Sequence, residues 1–399
     1  MIQKCMIHHC VTRKNIVYLQ REINLNMDRI FLFGEPIGEN NFIGREAEIK
    51  RMKANFTHGI NTMLMSPRRW GKTSIVKKMA KELQSDTLKI VFVDIFWCRD
   101  EYDFYNAFAQ AILRQTASKF EEFIEQATAF LGRIVSKVAL SPDPNSEISL
   151  SLGITPQTHT PEEILNLPER IAEKKKCHIV VCIDEFQQVG EFFDSLTVQK
   201  RMRTVWQHQQ NTSYCLFGSK KHLLENMFQR RSYPFYKFGD IVPLDPIPIE
   251  TWIPYITKGF TKDGKKISED FCKRICESVK LNSSYVQQLS WLTLLNTDTE
   301  VTDEIFQQSL RDIIKENSQL FIQQTEKLTT YQMNFIRALL DGIRKDFAKS
   351  EIREKYSLGS YSNIVRIKAS LTDKELIDFD ASGTFIADPV LELWLRRSL

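Results

Sequence analysis

No run in this 399-residue chain stays apolar for the roughly 20 residues that a membrane-crossing helix needs. A large charge of one sign is also missing: the formal net charge is +4. Lys4, Arg13, Lys14 and Arg21 against Glu22 put most of that excess in residues 1–26. The near-neutral remainder excludes a global nucleic-acid footprint and leaves only a local patch open. The same N-terminal segment has no long apolar core and no cleavage site, which argues against a signal peptide. Met27, followed by Asp28-Arg29-Ile30-Phe31 where the globular pattern begins, reads as the natural start, or 1–26 as a loose extension. Disulfide and zinc frameworks are absent too. Cys5, His8, His9 and Cys10 have the spacing of no standard zinc site. Cys98, Cys177, Cys182 and Cys215 lie in apolar runs, and Cys272 and Cys276 are one helical turn apart. That is the pattern of buried thiols in a reducing cytosol, so a cytoplasmic location is expected. What is present is ordinary globular composition, 42% hydrophobic and 26% charged, with length for two or three domains.

The most informative residues are Ser66-Pro67-Arg68-Arg69-Trp70-Gly71-Lys72-Thr73. They follow the apolar run Met63-Leu64-Met65 and precede a helical pattern that opens with Ser74-Ile75-Val76. Strand, loop, Gly-Lys-Thr and helix is the context of a phosphate-binding loop. Backbone N–H groups of the loop and helix start, Ser66 and Arg68 to Ser74, would face the β- and γ-phosphates of a nucleotide beside Pro67, which has none. Lys72 would neutralise phosphate charge, and the Thr73 hydroxyl would coordinate Mg²⁺. The motif opens with Ser66 where the general pattern has glycine, the residue that eases a close approach of backbone to phosphate.

A second motif supplies the partner. His178-Ile179-Val180-Val181-Cys182-Ile183 reads as a buried parallel strand and ends in Asp184-Glu185. Carboxylates at the C-terminal end of such a strand would face the phosphate crevice. Asp184 would hold Mg²⁺, and Glu185 would polarise the attacking water as general base. An Asn-Lys-x-Asp guanine-reading signature is absent, which favours ATP over GTP.

Along the chain, an amphipathic helix is expected at 48–55, strands at 90–95, 214–217 and 238–242, and mostly helix over 104–130. The Pro/Ser/Thr-rich stretch 141–161, with alternation at 148–152, reads as a loop or small inserted hairpin. Strands alternating with helices imply a parallel, doubly wound α/β sheet. From 250 to 324 the pattern is helical. Beyond 329 come helices at 332–342, 350–355 and 360–372, then Leu376-Ile377-Asp378-Phe379 and Thr384-Phe385-Ile386-Ala387 around a turn. Three helices and a hairpin describe a winged helix-turn-helix. The expected division is an extension (1–26), a P-loop core (27–245), a helical lid (246–326) and a winged helix (327–399).

Taken as a set, several segments resemble the archaeal-type ATPases, AAA+/STAND-related P-loop proteins. They are Phe42-x-Gly44-Arg45-Glu46, Pro67-Arg68-Arg69-x-Gly71-Lys72-Thr73, Ile183-Asp184-Glu185-Phe186 and Phe217-Gly218-Ser219. Arg231-Ser232-x-Pro234-x-Tyr236 and the terminal Asp388-Pro389 with Trp394-Leu395-Arg396 complete the set. The resemblance runs from Phe42 to Arg397. It implies an ATPase core, a helical lid and a winged-helix domain, with ATP and Mg²⁺ as ligands. It also implies roles that leave alternatives open. Ser219 falls at a sensor position, where a hydroxyl meets the γ-phosphate or the attacking water, or else caps a helix at 220–227. Arg230 and Arg231 lie where related ATPases place an arginine finger, in trans within a homo-oligomer, or form a solvated basic turn. Phe42 and Ile43 pack adenine or simply the core. The arginines of the loop meet phosphate or a partner. The lid turn, Asn282-Ser283-Ser284-Tyr285, departs from the family's Gly-Asn-Pro-Tyr and brings no arginine toward the nucleotide.

Tyr361, Asn363, Arg366 and Lys368 would line an exposed face of the third C-terminal helix and reach DNA. Asp373, Glu375, Asp378 and Asp380 crowd the following wing and repel phosphate, so protein docking or autoinhibition is favoured over DNA binding. The expected function is a slow Mg-ATPase switch awaiting a protein partner. The alternatives are an ATP-controlled DNA-binding regulator and a non-hydrolysing nucleotide scaffold, the last suggested by Ser66.

Overall fold

The computed structural model describes residues 30–34, 42–131, 154 and 160–398. The extension with Cys5, His8, His9 and Cys10, the start read at Met27 and the alternation at 148–152 lie outside the described residues. Strands β1 (Thr62–Met65), β2 (Leu88–Asp94), β3 (His178–Asp184), β4 (Thr212–Phe217) and β5 (Asp240–Pro243) form one sheet in the order β2-β3-β4-β1-β5. Every pairing in it is parallel. The apolar run at β3 fits its place: the strand is covered on both faces and only its ends reach half-exposure. One face packs against helices α3 (Glu101–Thr116), α5 (Pro161–Leu165), α6 (Leu167–Lys175) and α7 (Ser195–Trp206). The other face packs against α1 (Glu46–Thr57) and α2 (Lys72–Leu83), through Phe56, Ile75 and Val76. The helix read over 104–130 is broken into α3 and α4 (Phe120–Leu131). Asp100 caps α3 by accepting from the Tyr102 and Asp103 N–H groups.

Past β5 the chain is helical: α9 (Ile249–Lys262), α10 (Glu269–Ser278), α11 (Ser283–Asn296) and α12 (Asp303–Thr325). Then come α13 (Thr330–Leu340), α14 (Ser350–Lys355), α15 (Tyr361–Asp373), the antiparallel hairpin β6 (Ile377–Asp380) and β7 (Gly383–Ile386), and α16 (Pro389–Ser398). Three helices and a hairpin in this order make a winged helix. A single apolar cluster unites these helices with the preceding four, running from Trp252 through Phe321 to Leu395. No helix among the described residues is long and apolar enough to cross a membrane, and none of them form a cluster of metal-ligating side chains.

Candidate nucleotide site

The loop from Ser66 to Gly71 joins β1 to α2 at the C-terminal edge of the sheet. Gly71 sits at φ 88°, a left-handed conformation that glycine adopts without strain, and it precedes the first residue of α2. No side chain caps α2, and its first turn holds no acidic residue. The helix dipole at this end favours an anion. Lys72 is 7% exposed, and its Nζ donates to the carbonyls of Ser66 (3.0 Å) and Pro67 (2.8 Å). Burial lowers its ammonium to about 8, against the attraction of Glu185 and Asp184, so it stays protonated at neutral pH. The Ser66 side chain is within 3.3 Å of the same Nζ, so it supports Lys72 from the position where the general motif has glycine. Ser74 is buried in the first turn of α2.

Thr73 Oγ1 donates to Asp184 Oδ2 at 3.0 Å. Burial, and next the Glu185 charge, push the Asp184 carboxyl up to about 6. Glu185 holds left-handed backbone angles (φ 55°), which turn its side chain along the sheet edge toward β4. Its Oε2 accepts from Gln187 Nε2, from the Ser219 hydroxyl (2.9 Å) and from the Ser219 N–H (3.2 Å). Because β4 lies between β1 and β3, Ser219 stands between the phosphate loop and the Asp184-Glu185 pair. The alternative of a helix cap at Ser219 is corrected: Lys220 is the N-cap residue of α8 (Lys221–Gln229). Gly218 is where the strand end meets this turn. A Cβ there would lie 1.9 Å from Gln187 Oε1 and 3.2 Å from Glu185 Cα.

Phe42 packs on the sheet side, with Lys78 Nζ 5.2 Å from its ring centroid, whereas Ile43 packs with the helices beyond β5. The two residues thus pack with different apolar clusters. Arg230 and Arg231 are exposed just past α8, and neither forms an ion pair among the described residues. A cleft of about 460 Å³ opens on the far side of the Glu185 turn. Gln187, Gln199, Lys220, Tyr233 and Asp373 line it, so it is distinct from the phosphate loop.

Sequence reasoning gave Arg45 only a place in a motif. The structure buries it (8% exposed), with its guanidinium donating to the Asp245 carbonyl, Glu48 Oε1 (3.0 Å) and the Trp70 carbonyl (3.3 Å). It therefore ties the phosphate loop to the segment after β5. The contact between lid and loop has no local signal either, because the lid turn carries no arginine. The arginine is on the loop: Arg69 donates to the hydroxyl of Tyr285 in α11. Two residues read as a DNA-facing surface are engaged internally. Asn363 donates to the Leu358 carbonyl (2.8 Å), and Lys368 Nζ lies 5.7 Å from the Phe347 ring centroid. Tyr361 and Arg366 are exposed as expected.

Thr73 and Asp184 together offer hydroxyl and carboxylate oxygens, a donor set suited to a hard divalent cation such as Mg²⁺. No protein-family model and no curated protein matches the chain. Among solved structures, it is similar to the Walker-type ATPase PABY2304 of Pyrococcus abyssi, with a TM-score of 0.68 at 17% identity. That match covers 92% of this chain and 100% of the other. It is also similar to the ORC2 protein of Aeropyrum pernix, solved as ADPNP and ADP complexes, with a TM-score of 0.52 at 13% identity. Here 94% of this chain and 97% of the other are covered. At such identity the likeness speaks for the fold alone: the chain shares the α/β architecture of these structures, with helices following the sheet.

Proposed function

We propose that this chain binds and slowly hydrolyses Mg-ATP, and that the cycle drives a conformational switch engaging a protein partner. The observation that carries the reading is the Thr73–Asp184 hydrogen bond of 3.0 Å beside buried Lys72, with Glu185 held by Ser219 on the same sheet edge. The uncapped start of α2 would take the β- and γ-phosphates through its N–H groups, and Lys72 would neutralise their charge. Thr73 and Asp184 would hold Mg²⁺, which would supply positive charge to offset the charge developing on the phosphates. Glu185 would accept a proton from the attacking water, and its three hydrogen bonds fix the orientation of that carboxylate. Ser219 acts here as the group that aims Glu185. Phe42 and Ile43 would flank the adenine. Arg231, exposed beyond α8, would complete the site of a second copy in trans.

The outer face of α15 supports a protein partner over DNA. It shows Tyr361, Val365 and Arg366, while the partly exposed Lys368 lies against the Phe347 ring and Asn363 donates to the Leu358 carbonyl. All six described cysteines are buried free thiols, which suits a reducing cytoplasm.

The test is phosphate release from Mg-ATP by the full chain, alone and with duplex DNA, beside Lys72→Ala and Glu185→Gln. Lys72→Ala should lose nucleotide affinity. Glu185→Gln should keep binding and lose turnover by about 10² to 10⁴. Unchanged turnover in Glu185→Gln would refute hydrolysis through this carboxylate. ATP binding without turnover in the wild type would point to a scaffold. Stimulation by DNA that Arg366→Ala abolishes would replace the protein-partner reading with DNA-controlled regulation.

A further inference from the structure

The four helices after β5 and the winged helix behave as one body. They share one apolar cluster, the rings of Phe321 and Trp394 lie 6.0 Å apart, and Lys280 pairs with Glu392 across their junction. The contacts of this body with the phosphate loop are of another kind. The Arg69 guanidinium donates to Tyr285 Oη and lies 5.1 Å from that ring's centroid. It also stands 3.6 Å from Asp388 Oδ2. Tyr285 Oη in turn donates to Asp388 Oδ2 at 2.5 Å. Asp388 is itself fixed, because its Oδ1 accepts from the N–H groups of Val390 (2.8 Å) and Leu391 (3.1 Å) at the start of α16. Beside this triad, Arg68 stands 3.6 Å from Glu375 at the foot of the wing. Glu375, one of the acidic residues that sequence reasoning assigned to repelling DNA, is thus turned toward Arg68 of the phosphate loop.

Those arginines immediately precede Trp70-Gly71-Lys72, so a polyphosphate on the loop acts on both sides of each pair. It attracts the two guanidinium groups, and it repels the Asp388 and Glu375 carboxylates. The joints inside the lid–wing body are largely apolar and indifferent to that charge. The joints to the loop are charged, and the Arg68 and Arg69 pairs are partly exposed, so they are the ones an anion displaces.

We propose that the nucleotide triphosphate and the lid–wing body compete for Arg68 and Arg69, so that ATP binding unlatches this body from the phosphate loop. The inference rests on the nucleotide reading above and names how that site is regulated. Binding linkage is reciprocal: the open latch must bind ATP more tightly than the closed one by the same factor by which bound ATP shifts the latch toward open.

The experiment uses the full chain. Mg-ATP affinity is measured by calorimetry for the wild type, Glu375→Gln and Tyr285→Phe, and amide hydrogen exchange over residues 280–288 and 374–391 is followed with and without ATP. Both variants should bind ATP about threefold to tenfold more tightly, within the usual range of coupling between sites. ATP should speed exchange over those segments in the wild type, and less so in the variants. Glu375→Gln guards the test against a folding defect, since Glu375 is partly exposed whereas Tyr285 is buried. Equal or weaker ATP binding by both variants, or slower exchange with ATP, overturns the latch while the nucleotide reading stands. No ATP binding by the wild type overturns both.

Discussion

Replacing Asp184 with asparagine should make the ligand-free protein more stable while abolishing Mg-ATP turnover. Burial and the neighbouring Glu185 charge raise the Asp184 carboxyl from 3.8 to about 6. The folded chain therefore holds this proton more tightly than the unfolded chain does. Between those two values stability falls as pH rises, because the native state binds more protons than the unfolded one. The cost is fully present above about pH 6 and is relieved as pH falls through that value. A shift of this size corresponds to about 3 kcal/mol. Loss of the attraction between Asp184 and Lys72 and partial solvent screening trim the expected gain to about 1–2 kcal/mol at pH 8. Asparagine fits the same hydrogen bonds. Its oxygen can accept the Glu185 N–H, now 2.8 Å from Oδ1, and its amide nitrogen can donate to Thr73 Oγ1. The assay is thermal unfolding of wild type and variant without nucleotide or Mg²⁺ at pH 8 and pH 5, together with Mg-ATP turnover. A gain of about 2–8 °C at pH 8 is expected if the sheet core melts as a unit, shrinking to about half at pH 5 and vanishing only below the unfolded value of 3.8. A melting temperature at pH 8 equal to or below the wild type, or a gain independent of pH, would refute the reasoning.

Two further predictions test how the site is held. Arg45→Ala should destabilise the fold by about 2–3 kcal/mol, because a buried charged donor serving the Trp70 and Asp245 carbonyls is lost. Thermal unfolding checks this, and a change under about 0.5 kcal/mol would show that the loop does not lean on Arg45. Gly218→Ala should drive the Gln187 amide away from Glu185 and lower turnover about tenfold with ATP affinity retained, since misaiming one catalytic group costs rate more than binding. Turnover at the wild-type level would mean that Gln187 does not position Glu185.

Much of the sheet was legible because its strands are short apolar runs with marked ends. The run before Asp184-Glu185 and the run before Ser66 appear as β3 and β1 within a residue or two. The mostly helical stretch 104–130 was legible, but not where it breaks, because the residues between Thr116 and Phe120 include neither glycine nor proline. Its signals are local polar ones: Ser118 and Glu122 hydrogen-bond to each other at the start of α4. The exposed face of α15 was half legible. Helical period placed Tyr361 and Arg366 outside, but it could not show that Phe347, on another segment, would draw in Lys368.

The sequence by itself determined the chemistry of the crevice. Lysine, threonine and two carboxylates sit next to a glycine turn or a strand end, and those features are written in neighbouring residues. Only the tertiary structure decided how these groups meet. Placing β4 between β1 and β3 brings Ser219 to Glu185, 34 positions away. Packing of the helical body on the sheet edge brings Tyr285 to Arg69, 216 positions away, and Asp388 to Tyr285, 103 positions away. No local periodicity encodes such contacts. They arise because apolar burial fixes where each layer lies, and the charged groups left at the seam then find their partners across it.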